Sequence, residues 1–347
     1  KNPPNCPHPN HRGAGRSQKI PSPPSSTAPH TPPKPRTLSA LSPHSLSNAL
    51  NPMQAPTTPP LAETPRPPAS MVLLRQAPTG LEVLLLRRTA QAANMPGLYV
   101  FPGGKLDEAD QTLAGSLLDQ PPETLHANLH EPGIDAATAA GLYVAAVREA
   151  LEECGLLLAE AAGDLARLDA PQARELLRAG QSFADVLQAL QLRVPTRRLV
   201  PWSRWITPRA PTINTTRRFD TRFFVAEAPQ GQTAAHDDEE TTDSVWIAPR
   251  TALEQYRDRL IDLAPPQIMG LAHLARHNDV QSVLQEARSK RPPLIEPEHY
   301  HRDGTRVLCY PGDAKHSVSA RALPGPTRLL HVEGRFTPEE GFEALFA

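Results

Sequence analysis

Glu149, Glu152 and Glu153 stand in the run Arg148-Glu149-Ala150-Leu151-Glu152-Glu153-Cys154-Gly155-Leu156. On a helix these positions are i, i+3 and i+4, so three carboxylates share one face. Exposed like charges at that spacing repel by roughly a few tenths of a kcal/mol per pair. A divalent cation removes the conflict, and a donor set made only of oxygen favours Mg²⁺, Mn²⁺ or Ca²⁺ over zinc. Three glutamates alone equally describe a solvated acidic face, so their surroundings carry the argument. Arg148 precedes the first of them and can hold its neighbours in register by a charge-assisted hydrogen bond. Phe101-Pro102-Gly103-Gly104 follows a short apolar run, and glycines there let a backbone approach a ligand.

Several elements must position these residues. Ser70–Gln76 and Leu81–Arg88 are apolar runs around the turn Pro78-Thr79-Gly80, which predicts a β-hairpin. Leu98–Phe101 is a third strand leading into the glycines. The segment 111–134 is a polar insertion with one or two short helices. The Ala- and Leu-rich stretch Ala136–Ala159 is the strongest helix signal and carries the glutamates, with Gly155 placed to end it or to admit a close backbone. Two helices are expected within 171–192, strands at Leu199–Ile206, Arg217–Glu227 and Ser244–Ile247, and helices at Pro249–Asp258, Pro266–His277 and Val280–Ser289. Further on, Arg306–Tyr310 and Thr327–Val332 read as short strands. Strands and helices mix without strict alternation, which points to an α+β or mixed-sheet sandwich rather than a doubly wound fold.

With these residues in place, the chain resembles the Nudix hydrolases, whose box reads G-x5-E-x7-R-E-U-x-E-E-x-G-U with U aliphatic. The match falls on Gly104, Arg148, Glu149, Glu152, Glu153, Gly155 and Leu156. Asp110 stands where the box has its first Glu, and 37 residues separate it from Arg148 where the box has 7. A split box of this kind is similar to one branch, the peroxisomal coenzyme A diphosphatases of the nucleoside diphosphate-linked moiety X motif 19 type and their bacterial relatives. That likeness rests on Val83–Arg88, on the run from Met95 to Asp110, and on Trp202–Pro208 and Arg217–Phe224. It covers about residues 70–290.

The resemblance implies a Nudix-type α/β/α sandwich with a mixed sheet, a helical insertion in the box and added C-terminal helices. It implies Mg²⁺ (or Mn²⁺) held by Glu149, Glu152 and Glu153, with Glu153 and Glu149 as ligands and Glu152 as ligand or base. The expected partner is a small molecule with a diphosphate linkage, coenzyme A or acyl-CoA first, cleaved to 3′,5′-ADP and (acyl-)4′-phosphopantetheine. ADP-ribose or NADH hydrolysis and a catalytically lapsed binding module are the competing readings. No nucleic acid or membrane partner is expected, and a homodimer is allowed.

Other residues offer chemistry with a plainer reading beside it. Glu240, in His236-Asp237-Asp238-Glu239-Glu240, is an extra metal ligand or part of a solvated acidic loop. Arg218 and Arg222, with Arg217, could grip a 3′-phosphate, since Arg matches phosphate bidentately, or form an Arg-Asp-Arg ladder with Asp220. Arg87, Arg88 and Lys105 lie near the glycine turn and could meet phosphates; Gly103 and Gly104 would lie against the substrate. Trp202, Trp205 and Trp246 could stack on a purine or fill the core. His299, His301, Asp303 and His316 could be read as a second metal site, but their segment lacks regular spacing. Cys154 reads as a packing residue, with no His placed to activate it.

The 347 residues divide by composition. Residues 1–70 hold 19 of the 41 prolines, seven Lys or Arg and one acid, Glu63, hence a charge of +6; the formal net charge of −1 leaves −7 for the rest. A domain of that sign is a poor general nucleic-acid binder. Residues 1–68 are expected to be a disordered Pro-rich tail, with Met53 as a candidate natural start. The Nudix domain is expected at 69–290, with 111–134 inserted in its box, and a C-terminal extension at 291–347. Three scattered cysteines exclude a disulfide scaffold and fit a reducing compartment. No apolar run approaches a membrane span, and Leu345-Phe346-Ala347 is not a peroxisomal address, so the reading is cytoplasmic.

Overall fold

The apolar runs Met71-Val72-Leu73-Leu74 and Val83-Leu84-Leu85-Leu86 contain no alternation with polar residues, so a sheet built from them must be covered on both faces. The computed structural model describes residues 67–113, 115–208 and 218–347, and it shows both faces covered. Nearly all of the expected tail, and Arg217, lie outside the described residues.

In chain order the elements open with β1 (Pro68–Ala77), β2 (Gly80–Arg88), β3 (Tyr99–Val100) and β4 (Gly103–Lys105). Next come α1 (Glu108–Gln111), α2 (Pro122–Leu129), α3 (Ala136–Cys154) and β5 (Glu160–Ala161). The middle of the chain forms α4 (Ala170–Arg178), α5 (Phe183–Ala189), β6 (Leu192–Arg193), β7 (Val200–Ile206), β8 (Asp220–Glu227) and β9 (Thr241–Ile247). The rest forms α6 (Pro249–Arg257), α7 (Pro265–Leu274), α8 (Val280–Ser289), β10 (Leu294–Ile295), β11 (Glu298–Arg302), β12 (Thr305–Cys309), β13 (Arg328–Val332) and β14 (Arg335–Pro338).

The main sheet runs β10-β7-β8-β1-β2-β3, with β4 also on β1 and β9 also on β2. It is mixed: β1 pairs parallel with β8 and β10 parallel with β7, while the β1–β2 hairpin and the β7–β8 pair are antiparallel. Successive strand residues point to opposite faces. Met71, Leu73, Leu84, Leu86 and Phe224 pack into one core with α3 and residues of α2, α4 and α5. Val72, Leu74, Val83, Leu85, Phe223 and Val225 pack into the other with residues of α6, α7 and α8.

The glutamate helix is buried along most of its length, and its alanines Ala139, Ala140, Ala145, Ala146 and Ala150 let it approach its neighbours closely. It ends at Cys154 rather than at Ala159. Gly155 takes φ +69°, its amide reaches the Leu151 carbonyl at 3.0 Å and the Leu156 amide reaches Ala150 at 3.4 Å, a left-handed stop that needs glycine. The insertion carries a 3₁₀ turn at Gly115–Leu117 and α2, and Leu117, Leu118, Leu125 and Leu129 join the α3 core.

Residues 291–347 contribute to the second core. β10 adds a strand to the main sheet, β11 to β14 form a four-stranded antiparallel sheet, and Tyr310, Leu323, Leu329 and Leu345 are buried with α6, α7 and α8. No helix among the described residues is long and apolar enough to cross a membrane.

Candidate active site

β4 and the last turn of α3 meet across β1. The Gly103 amide donates to Glu153 Oε2 at 2.8 Å, and Gly103 and Gly104 pair with Ser70 and Ala69 of β1. A Cβ on Gly104 would lie 2.3 Å from the Glu149 carboxylate, so only glycine leaves room for it. At Gly103 the backbone takes φ +155°, and a Cβ would strike the Ala69 carbonyl at 2.4 Å. The glycine turn thus seats two of the three box glutamates directly.

Arg148 organises the third and closes the split box. Its Nε and Nη2 donate to the two oxygens of Asp110, each at 2.9 Å, and Nη2 also donates to the Lys105 carbonyl at 2.9 Å. Nη1 donates to Glu149 Oε1 at 3.0 Å and to Glu152 Oε2 at 2.8 Å. Burial disfavours this guanidinium's charge, but the hydrogen bonds it donates to Asp110 and the charges of Glu149, Asp110 and Glu152 outweigh it and hold the group cationic. Asp110 and Arg148 are both buried, at 3 % and 8 % exposure.

Burial strains the carboxylates in the opposite sense. Glu153 is pushed up to about 8, chiefly by burial, against the Gly103 amide that favours its charge and with the Glu149 charge adding to the rise. Glu149 is pushed up to about 7 by burial, with Arg148 resisting and Glu152 adding to it. Glu152, more open to solvent, is also raised, first by burial. Carboxyls forced together out of water, with no cation among the described residues facing Glu153 at bonding distance, fit a hard divalent ion.

Glu240 belongs to the same neighbourhood. Its charge raises both Glu149 and Glu153, and its Oε2 lies 3.8 Å from Arg88 Nη2. Arg88 in turn lowers Glu153 and is aimed by a 3.0 Å hydrogen bond from its Nε to the Asn94 carbonyl. The Glu240 loop is well anchored: Asp237 Oδ1 accepts the amides of Glu239, Glu240 and Thr241, each at 2.9 Å. Gly103, Gly104, Arg88, Arg148, Glu149, Glu152, Glu153 and Glu240 are therefore brought together.

Arg218 and Arg222 have other partners. Arg222 is 3 % exposed, and its guanidinium is taken up by both oxygens of Glu131, at 3.1 and 2.5 Å, and by the Asp220 carbonyl. Arg218 donates to the Thr207 carbonyl at 3.0 Å and to Glu296 at 2.8 Å. Their expected grip on a phosphate gives way to ion pairs, because carboxylates from distant segments reach them first. The tryptophans likewise pack: Trp202 lies 4.4 Å from the His273 ring, Trp205 sits edge-on to Tyr310, and Trp246 carries the Arg75 guanidinium. The Cys154 thiol is buried and pushed up to about 12, which leaves it inert.

Arg174, on α4, supports the site and was missed. It donates to the Glu152 carbonyl at 2.8 Å and to the Ala235 carbonyl at 3.1 Å, capping the α3 carbonyls while pinning the segment before Glu240. Gln232 adds a two-way bond to the Leu157 backbone, at 2.8 and 3.1 Å. Neither had a local spacing signal. A cavity of about 250 Å³ opens elsewhere, between Gln120, Asn128 and His130 of the insertion and Arg197, Arg288 and Lys290.

The profile of the NUDT19 Nudix domain matches residues 120–274, a span that holds the glutamates but begins after the glycine turn. The acyl-coenzyme A diphosphatases NUDT19 of Gallus gallus and Homo sapiens are each 30 % identical to the chain, over 243 and 249 residues. These alignments cover 59 % and 61 % of this chain and 64 % of each relative, so the chain spans less than two thirds of their length. The crystal structure of a Nudix hydrolase from Alicyclobacillus acidocaldarius is similar at 26 % identity and a TM-score of 0.53, covering 64 % of this chain and 96 % of that one. The mixed-sheet sandwich expected from the sequence is the fold found.

Proposed function

We propose that this chain is a Nudix hydrolase, a divalent-metal-dependent pyrophosphohydrolase that cleaves the diphosphate of coenzyme A or acyl-CoA. The observation that carries the reaction class is the placement of the buried Glu149 and Glu153 carboxylates against the Gly103-Gly104 turn, with Glu240 electrostatically coupled to both. Two relatives that bear the name acyl-coenzyme A diphosphatase support the substrate class.

Glu149, Glu153 and Glu240 would hold Mg²⁺ or Mn²⁺, with Glu152 as a further ligand or as base. Bound there, the ion would neutralise diphosphate charge and acidify an attacking water. Arg148 favours the ionised forms of Glu149 and Glu152 against their burial and holds both in register. The Gly103 amide orients Glu153, and Gly104 keeps the approach to Glu149 open. Arg88 supplies positive charge at the rim. Water adds to one phosphorus, the P–O–P bond breaks, and 3′,5′-ADP and (acyl-)4′-phosphopantetheine leave. Arg218 and Arg222 are assigned no phosphate contact in this scheme, because their guanidinium groups are already paired.

The test is product analysis by mass spectrometry, with Mg²⁺ or Mn²⁺ and a panel of CoA, acetyl-CoA, ADP-ribose, NADH and nucleoside triphosphates. Formation of 3′,5′-ADP from CoA or acetyl-CoA, with the others slow, is the expected result. Preference for ADP-ribose or NADH would retain the glutamate chemistry and discard the coenzyme A assignment. No turnover of any diphosphate would leave a binding module.

A further inference from the structure

On the opposite core, α7 and α8 bring together His273, His277 and Glu286. His273 lies in the last turn of α7 and His277 three residues beyond its end, with the two rings 6.2 Å apart. Glu286 rises from α8 between them: Oε1 lies 2.9 Å from His273 Nε2 and Oε2 lies 3.0 Å from His277 Nε2. The ligand atoms of the three residues all fall within 4.8 Å of one another. The side chains are 12 %, 9 % and 21 % exposed, and the Trp202 ring stacks on His273 at 4.4 Å.

The hydrogen-bond bookkeeping at His277 singles this cluster out. Ser282 Oγ donates its one proton to the Asp279 carbonyl at 2.8 Å, so at 3.0 Å it can only accept from His277 Nδ1. The other ring nitrogen, Nε2, is buried and has no aligned hydrogen-bond partner among the described residues, yet lies 3.0 Å from a carboxylate oxygen of Glu286. A cation lodged between these two atoms would satisfy both.

The geometry points to a transition-metal site of the Zn²⁺ type formed by His273, His277 and Glu286, with Ser282 setting the His277 tautomer. Two imidazoles and one carboxylate suit zinc and disfavour Mg²⁺, which takes oxygen donors in an octahedron. Zinc–ligand bonds of about 2.0–2.1 Å place tetrahedral donors about 3.3 Å apart, so the two histidine–Glu286 separations of 2.9 and 3.0 Å need open by only a few tenths of an ångström, and the remaining ones start within 4.8 Å. Lys290, now 2.7 Å from Glu286 Oε1 and 66 % exposed, is free to swing into solvent as the ion enters. The ion would clamp α7 to α8. This site stands apart from the proposed hydrolase reading and survives its failure.

The test uses the full chain in millimolar Mg²⁺, which occupies the oxygen-donor cluster, equilibrated with micromolar Zn²⁺ and assayed for bound zinc by elemental mass spectrometry. One zinc per chain is expected in the wild type and in Glu149→Gln/Glu153→Gln. At least a tenfold weaker retention is expected in His277→Ala and in Glu286→Gln. Co²⁺ substitution of the wild type provides a readout that needs no variant: visible d–d bands at one equivalent, displaced by Zn²⁺ and not by Mg²⁺. Absence of both zinc and bands would overturn the proposal and leave an imidazolium–carboxylate pair. Equal zinc in wild type and in a folded His277→Ala chain would overturn it too.

Discussion

Arg148 and Asp110, 38 positions apart, form a two-pronged ion pair with both N···O distances at 2.9 Å. Through this pair the glycine turn and the glutamate helix form one unit although the insertion separates them in sequence. A shorter Asp at the first acidic position of the box suffices because α1 carries it directly against α3. Asp110 Oδ2 also accepts the Asp107 amide at 3.0 Å, which fixes the carboxylate before it meets the arginine.

Asp110→Asn keeps the shape and removes the charge. It leaves Arg148 buried with part of its compensation gone, so a loss of about 2–4 kcal/mol is expected from urea unfolding. Turnover should fall roughly ten- to hundredfold, as when a group behind metal ligands is lost. Unchanged kinetics with the destabilisation would reduce Asp110 to a purely structural role.

Glu153→Gln separates stability from catalysis. The neutral amide no longer faces Glu149 with charge, so the thermal midpoint measured by calorimetry at pH 8 should hold or rise. Metal-dependent turnover should fall by roughly 10²–10⁴. Glu149→Gln should act in the same direction. Full activity in both variants would remove the glutamates from the mechanism.

The two glycines should behave differently. Gly104→Ala places a Cβ in the Glu149 carboxylate, 2.3 Å away, so turnover drops while the fold survives through rotation of that side chain. At Gly103 the conflict is with the Ala69 carbonyl and the Ser70 Cα, and the backbone is left-handed, so Gly103→Ala should lower the urea midpoint as well. Matching effects from both substitutions would contradict this division.

Glu149 near 7 and Glu153 near 8 stand above the ordinary 4.5, so between those values the folded chain holds protons that the unfolded chain has lost. Stability in EDTA should therefore fall as pH rises from about 5 to 8, by up to about 1.4 kcal/mol per pH unit for each proton. Added Mg²⁺ should raise the thermal midpoint more at pH 8 than at pH 5, because at acid pH it must displace those protons. Calorimetry across that range checks both slopes, and Glu153→Gln should flatten them.

Glu131, at the start of α3's approach, receives Arg222 and also Arg204 Nη1 at 3.0 Å. Glu131→Gln would leave the buried Arg222 with Asp220 as its remaining anionic partner, with an expected cost of about 2–4 kcal/mol in urea unfolding. If the insertion helps shape the site through this contact, KM should change more than metal affinity. A neutral substitution would return Arg222 to the list of groups free to meet substrate.

Much of the chain was legible from local rules. Continuous apolar runs specified a sheet buried on both sides, the turn at Pro78-Thr79-Gly80 specified the hairpin, and helical spacing put Glu149, Glu152 and Glu153 on one face. Gly155 announced the stop of α3, though only the fold showed that it acts at once and turns Leu156 to Ala159 out of the helix. These features are written in neighbours within about one or two turns of chain, where side-chain direction follows from backbone geometry. What remained hidden depends on which distant segments meet. Arg222 read as a phosphate ligand until Glu131, 91 positions away, took it. Arg174 capping α3, the four-stranded C-terminal sheet sharing the α7–α8 core, and Glu286 reaching two histidines are of the same kind. A single charged side chain carries no mark of its partner, and pairing across long loops is decided by packing of whole elements, so only the tertiary structure could assign them.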